Sequence, residues 1–395
     1  MATPEQLGAI RLPSDFVFGA VPSAVEREQA HELVARGVSL SLPPSLGPLA
    51  AFTGSWAGTG FNTIFRPDSP KTPTPLPIPV SGSDNILELN LTEETLTFSQ
   101  SLGSVPNRGT LQADAFLNGV PYLQSISDVT VLNQKVGIHL EPGLWMCVPP
   151  TVAPAEGQTV ARMASIPHGT TIVAQGTSSV IAGKPTIPVV DITPFNAGGK
   201  IKFASQTVTD KGTPRIPQDL TAFIAAGTIT QAILNDPNTV LRDHIKNQTI
   251  TSTTEIKIFT APQNPLFGGG TDNIAFLRGD PAAANPNANA GQMSATFWIE
   301  TVEHIITVPI FKLGQEPLLL SGHGPGPVGL SKFAPQFLVH PPTPITAPRQ
   351  IKVHSTQIQY SQTVILDFKG LSWPHVSVAT LVPGAPIPVP PSAWT

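Results

Sequence analysis

The sequence predicts an all-β protein built on an antiparallel up-and-down β-barrel of about ten strands. Three observations carry that expectation. Segments of strand length with alternating apolar and polar residues recur from Phe52 to Gln175 and again over 351–383, separated by Gly- and Pro-containing turns. Charged residues make up only 12 %, about half the usual share, while there are 44 prolines, which suits strands joined by long ordered loops. Finally, Gly54-Ser55-Trp56-Ala57-Gly58-Thr59-Gly60 places a Trp between glycines ahead of Phe61-Asn62-Thr63-Ile64-Phe65. Glycines in a strand allow close backbone approach, and a Trp beside them can plug one end of a barrel.

In chain order, residues 1–50 read as an N-terminal helical arm. Ser23 and Glu26 form a capping-box pattern opening a helix that runs through Arg36 to Gly37. The first part of the barrel is expected over 51–183. After a Pro-rich loop at 67–79 come two alternating strands, Ile86–Leu91 and Glu94–Phe98, then Val120–Ile126. Gly137–Val148 reads as a longer strand with a Pro-Gly kink, and Val160–Ile166 with Thr170–Gln175 as a hairpin around Pro167-His168-Gly169.

Residues 184–350 read as an insertion or lid on a single barrel. Residues 220–234 suit a short helix, and Asp236-Pro237 is an N-cap followed by proline, opening a helix through Ile245. Thr254–Phe259 and Ser294–Val302 suit strands, with long Gly- and Pro-rich loops around them. The closing barrel strands are expected over 351–383, turning at Lys369-Gly370, and a Pro-rich tail over 384–395 reads as an extended strap.

Composition excludes several function classes. The net charge of −4 and the lack of a Lys/Arg run leave no electrostatic footprint for nucleic acid. The single cysteine, Cys147, excludes an intramolecular disulfide framework and Cys-rich metal sites. No apolar run reaches the ~18 residues of a membrane-spanning helix, and Met1–Gln6 lacks a basic then apolar leader, so a soluble cytoplasmic protein without a membrane span is expected.

The stretch with most chemical content is Leu371–Leu381. Pro374 sets an extended entry, His375 opens a strand, Ser377 and Ala379 share its face, and Val376, Val378 and Thr380 take the other. A histidine over small side chains leaves room for something flat; the plainer alternative is a hydrogen-bonded core histidine. His139, Glu141 and Trp145 share a face of the kinked strand, where Glu141 can orient His139 or pair with Arg162. His139 and Glu141 could also join a third ligand around a non-haem metal. His168, at a hairpin tip, suits either the pocket mouth or simple solvation.

Four segments together resemble the nitrobindin family, haem-binding β-barrels related in shape to lipocalins and fatty-acid-binding proteins. They are Gly54–Gly60 for a G-T-W-x-G-x-G strand, His139–Leu144 for an H-x-E-S-G-Y/F strand, Gly169–Thr177 for a hairpin pattern, and Pro374–Leu381 for a P-H-L-x-A-x-L closing strand. Pro142 and Leu144 depart from the second pattern, the spacing of the fourth is loosened by one, and 184–350 has no counterpart in small family members. The resemblance implies haem b, with His375 as the iron ligand and His139 on the distal side as the candidate catalytic residue. Trp145, Ser377 and Ala379 would line the cofactor site. It further implies action on peroxynitrite, nitric oxide or peroxide at a ferric haem, as an isomerase or peroxidase-like activity. The alternative is a lipocalin-like carrier of a hydrophobic small molecule without haem. A third reading makes 184–350 a contact between copies in a homo-oligomer.

Overall fold

The computed structural model describes residues 45–68, 85–131, 133–210, 213–216, 219–261, 269–280, 287–326 and 332–394. The helix expected over 23–36 and nearly all of the Pro-rich loop at 67–79 lie outside the described residues.

Ten antiparallel strands form a closed barrel: β1 Gly54–Pro67, β2 Asn85–Phe98, β3 Ala115–Asp128, β4 Val136–Val148, β5 Thr159–Ile166, β6 Thr170–Ala182, β7 Thr249–Phe259, β8 Asn289–Val308, β9 Arg349–Phe368 and β10 Leu371–Pro383. Each pairs with its neighbour in sequence. β1 closes the ring against β10, from Trp56 opposite Pro383 to Thr63 opposite Val376. Closure removes the two open edges that a flat sheet would leave.

Local chemistry accounts for the turns and seams. Lys369 (φ 49°) and Gly370 (φ 73°) are both left-handed, as a two-residue turn between β9 and β10 requires. Gly58 and Gly60 sit where β1 and β10 converge: a β-carbon on Gly58 would lie 1.9 Å from the Thr380 carbonyl oxygen, and one on Gly60 2.1 Å from that of Val378. The two strands expected over 86–98 are one continuous strand, because the alternation runs unbroken through Thr92 and Glu93. The helix expected over 220–234 is two, α1 Thr221–Ala226 and α2 Gln231–Asn235, separated by Gly227 at φ 71°. Next comes α3, Asn238–Ile245, whose Asn238 N–H donates to Asp236 Oδ1 as the N-cap pattern predicts.

The division of the chain differs from expectation. Residues 184–350 are not simply an insertion on the barrel, since β7 and β8 fall inside that range and complete the ring between β6 and β9. The described residues of 184–248 lie outside the ring of ten strands. Among them, Ile187, Leu234, Leu241 and Ile245 pack on outward-facing Phe61, Leu89, Trp298, Val376 and Val378 to make a second core. Trp298, Val376 and Val378 are thus buried on the outer side of strands whose inward Phe297, Ala379 and Leu381 lie in the barrel core.

The first core fills the barrel. Trp56, Phe98, Trp145 and Phe297 occupy one end, which Leu49 and Phe52 plug from outside the ring. Phe52 stacks on Phe98 at 4.6 Å and meets Trp145 edge-on at 5.4 Å. Beyond that plugged end, the long strands β8 and β9 carry a small sheet on one face, made of Leu318–Ser321, Gln336–Val339 and Ile387–Pro388. The C-terminal segment is therefore an element of this sheet: Ile387 and Pro388 pair in parallel with Phe337 and Leu338.

Candidate functional site at the barrel mouth

The end opposite the plug carries three histidines. His375 stands near the start of β10 with Ser377 and Ala379 below it on the barrel-facing side, as alternation from Pro374 requires. His139 comes from β4, and His168 from the tip of the β5–β6 hairpin, where Gly169 at φ 102° makes the turn. The rings of His139 and His168 lie 5.8 Å apart between centroids.

His375 Nδ1 lies 2.9 Å from the Thr63 carbonyl oxygen. A carbonyl only accepts, so Nδ1 carries the proton and Nε2 keeps its lone pair. Burial holds the imidazole down to about 4, against some relief from the Thr63 carbonyl, and the neighbouring His139 and His168 oppose a charge there as well. His375 is therefore a neutral imidazole with a bare ring nitrogen, fixed by a backbone group that side-chain variation does not alter. His168 is also lowered, first by burial and then by His139.

Below the histidines lies a buried polar layer in two connected groups. His139 Nε2 is 3.2 Å from Glu141 Oε2, while Glu141 Oε1 accepts from both Arg162 and Tyr122. Arg162 is 2 % exposed and Glu141 fully buried, so the two alternatives weighed for Glu141 are realised together. Arg162 also donates to Tyr122 Oη at 2.7 Å and to Gln362 Oε1 at 2.7 Å, and its guanidinium lies over the rings of Tyr122, Trp145 and Phe297. Burial alone would raise the Glu141 carboxyl; the Arg162 charge, with His139 and Tyr122, outweighs it and holds the group below the usual carboxylate range.

Glu94 anchors the second group, and among the described residues no arginine or lysine pairs with it. Tyr360 Oη donates to it at 2.6 Å, Gln124 Nε2 at 3.2 Å and Thr92 Oγ1 at 3.1 Å. Burial nonetheless wins over these donors and pushes Glu94 up to about 7. Two carboxyls in one barrel thus take opposite states, the one paired with arginine charged and the other poised near neutrality. On the β1–β10 seam, Asn62 Nδ2 donates to Ser377 Oγ at 2.9 Å, and Asn90 Nδ2 reaches Asn62 Oδ1 at 3.3 Å.

The structure brings His375, His139 and Ser377 toward the mouth. It sets Trp145, 1 % exposed, in the plugged end against Phe52 and Phe297. Ala379 is fully buried at the seam beside Gly60, deeper than His375. Among the described residues, no group of three or more His, Cys, Asp or Glu side chains is arranged to hold a metal ion, so the His139–Glu141 pair gains no third ligand. Sequence reasoning missed Glu94, Tyr122, Gln124, Tyr360 and Gln362. Glu94 did leave a signal, since period two from Leu96 and Phe98 puts it on the apolar, inward face of β2.

Comparison with known proteins adds little. No family model matches the chain, and neither does any curated protein. Among solved structures, one titled "Crystal Structure of Rv2717c from M. tuberculosis" aligns at 13 % identity and a TM-score of 0.33, covering 87 % of this chain and 100 % of that one.

The donor set at the mouth suits a haem iron: a neutral, partly exposed imidazole whose other nitrogen is held by a carbonyl. The polar layer beneath is hydrogen-bonded within itself, and the plugged end is filled by aromatic rings.

Proposed function

We propose that this barrel binds haem b at its mouth, where His375 would hold the iron, and that it acts on peroxynitrite, nitric oxide or peroxide there. The observation that carries the reading is the hydrogen bond from His375 Nδ1 to the Thr63 carbonyl. It leaves Nε2 bare and makes the imidazole a stronger donor to a metal. Haem would supply an iron able to take up a small oxidant. The chain's own residues do the rest. Glu141, kept charged by Arg162, orients His139 through Nε2, and His139 with His168 offers polar groups beside His375. Trp145 holds Arg162 from below rather than touching a cofactor.

The test is an optical haem titration of the wild type beside His375→Ala. Stoichiometric binding with a histidine-ligated spectrum, lost in the variant, is the expected outcome; a wild type without a Soret shift would sink the reading. Burial keeps His375 neutral through the ordinary histidine range, so haem binding should not weaken as pH falls from 8 to 6.

The second reading, a carrier of an apolar molecule, would use the same open end, since Trp56, Phe98, Trp145 and Phe297 fill the plugged one.

A further inference from the structure

β9 is longer than its partner on one side. It pairs with β8 along its whole length, from Arg349 opposite Val308 to Asp367 opposite Asn289. Its pairing with β10 begins only at Ile358. Residues 349–357 therefore have a ladder on one side and no paired strand among the described residues on the other. A cavity of about 370 Å³ lies there, lined by the consecutive residues Arg349 through His354 and, across from them, by Pro390, Ser392 and Ala393. Side chains of successive strand residues point to opposite faces. A cavity touched by an uninterrupted run of them therefore lies along the strand's edge.

We propose that this edge of β9 is a docking site for an extended acidic peptide segment of another protein, which adds to the barrel sheet as one more strand. Strand addition to a free edge supplies main-chain hydrogen bonds, and the side chains flanking the edge supply selectivity. Arg349, Gln350, Lys352 and His354 are exposed, while Ile351 and Val353 are buried beneath the small sheet. Arg349 donates to the Trp394 carbonyl, and Lys352 meets Glu303 on β8 at 3.0 Å, with His354 3.7 Å from the same carboxylate. Glu303 is already met by Lys352, and Arg349 has no carboxylate partner among the described residues, which leaves a local basic surplus on a chain of net charge −4.

The same charges argue against the other occupants. Two-fold antiparallel pairing of β9 with a second copy centred between Gln350 and Ile351 would set Arg349 opposite Lys352, and like charges directly opposite are destabilising. The chain's own C-terminal segment is already engaged, since Ile387–Pro388 pairs with Phe337–Leu338 and Arg349 holds the Trp394 carbonyl.

The test is a fluorescence-anisotropy titration of the full chain with a short labelled peptide of alternating valine and glutamate, beside its valine–lysine counterpart. Two further versions of the acidic peptide carry backbone N-methyl groups on either the odd or the even residues. A strand adding to an edge uses the amides of alternate residues, so one methylated version should lose binding and the other keep most of it. Lys352→Glu, at an exposed position, should weaken the acidic peptide by about tenfold. Binding that both methylated peptides retain would reduce the site to a basic surface and overturn strand addition. So would equal binding of the lysine peptide, no binding of either, or a dimer forming at higher concentration in place of peptide binding.

Discussion

Glu94 and Glu141 share one barrel interior, and the difference between them is a single neighbouring cation. Glu94 titrates near 7 because burial outweighs three hydrogen-bond donors, so its folded value lies above the unfolded one. The native state then holds a proton that the unfolded chain has lost between about pH 4.5 and 7, and stability falls as pH rises through that window. The loss should total about 3 kcal/mol by pH 7. Urea unfolding at pH 5 and pH 8 should show it in the wild type and not in Glu94→Gln; parallel curves would mean that Glu94 is ionised throughout. Glu141 behaves in the opposite sense, because Arg162 keeps it charged. Arg162→Met strands that charge and should cost about 3–5 kcal/mol at neutral pH, part of which returns in the double variant with Glu141→Gln. Equal losses in the single and double variants would show that Arg162 acts through packing on Trp145 and Phe297 alone.

At the scale of elements, the seam between β1 and β10 decides whether the barrel closes. Gly58→Ala puts a methyl group on the Thr380 carbonyl, and backbone on a strand paired along both sides has little room to give. Gly58→Ala should lose more than about 2 kcal/mol in a denaturant titration, whereas an alanine at Gly54, where nothing lies within 4 Å, should lose only the smaller cost of its φ of 65°. Similar losses at both positions would remove the seam from the argument. The same seam presents His375 at the mouth, because its ring is tied to the Thr63 carbonyl of β1. The sequence pattern at this seam was readable: the glycines and Trp56 mark a closely approached strand, and Pro374 sets which side His375 takes. Thr63 carried no such signal, since a backbone carbonyl is available at every position and only pairing of strands over 300 residues apart selects this one.

For the whole molecule, two cores share one wall. Outward-facing Val376 and Val378 on β10 lie in the outer core under 184–248, while Ala379 and Leu381 lie in the inner one. A wall buried on both faces couples the two, so Leu241→Ala, at a fully buried position in the outer layer, should cost about 2–5 kcal/mol. Its unfolding should remain one cooperative transition by near- and far-ultraviolet dichroism alike. A separate early step would show that the outer layer unfolds by itself.

Alternation, glycine placement and low charge are local properties, and they sufficed to determine an antiparallel barrel, the hairpin at His168, the turn at Lys369-Gly370 and the inward side of β10. Membership of a strand in the ring is not local. β7 and β8 are legible as strands, but their alternation, Ile256 and Ile258 buried around exposed Lys257, does not say which neighbours they pair with. The state of Glu94, the union of Glu141 with Arg162, and the tautomer of His375 likewise depend on which groups meet across the barrel. Only the tertiary structure decided those, since burial and charge act through space between residues that the chain keeps far apart.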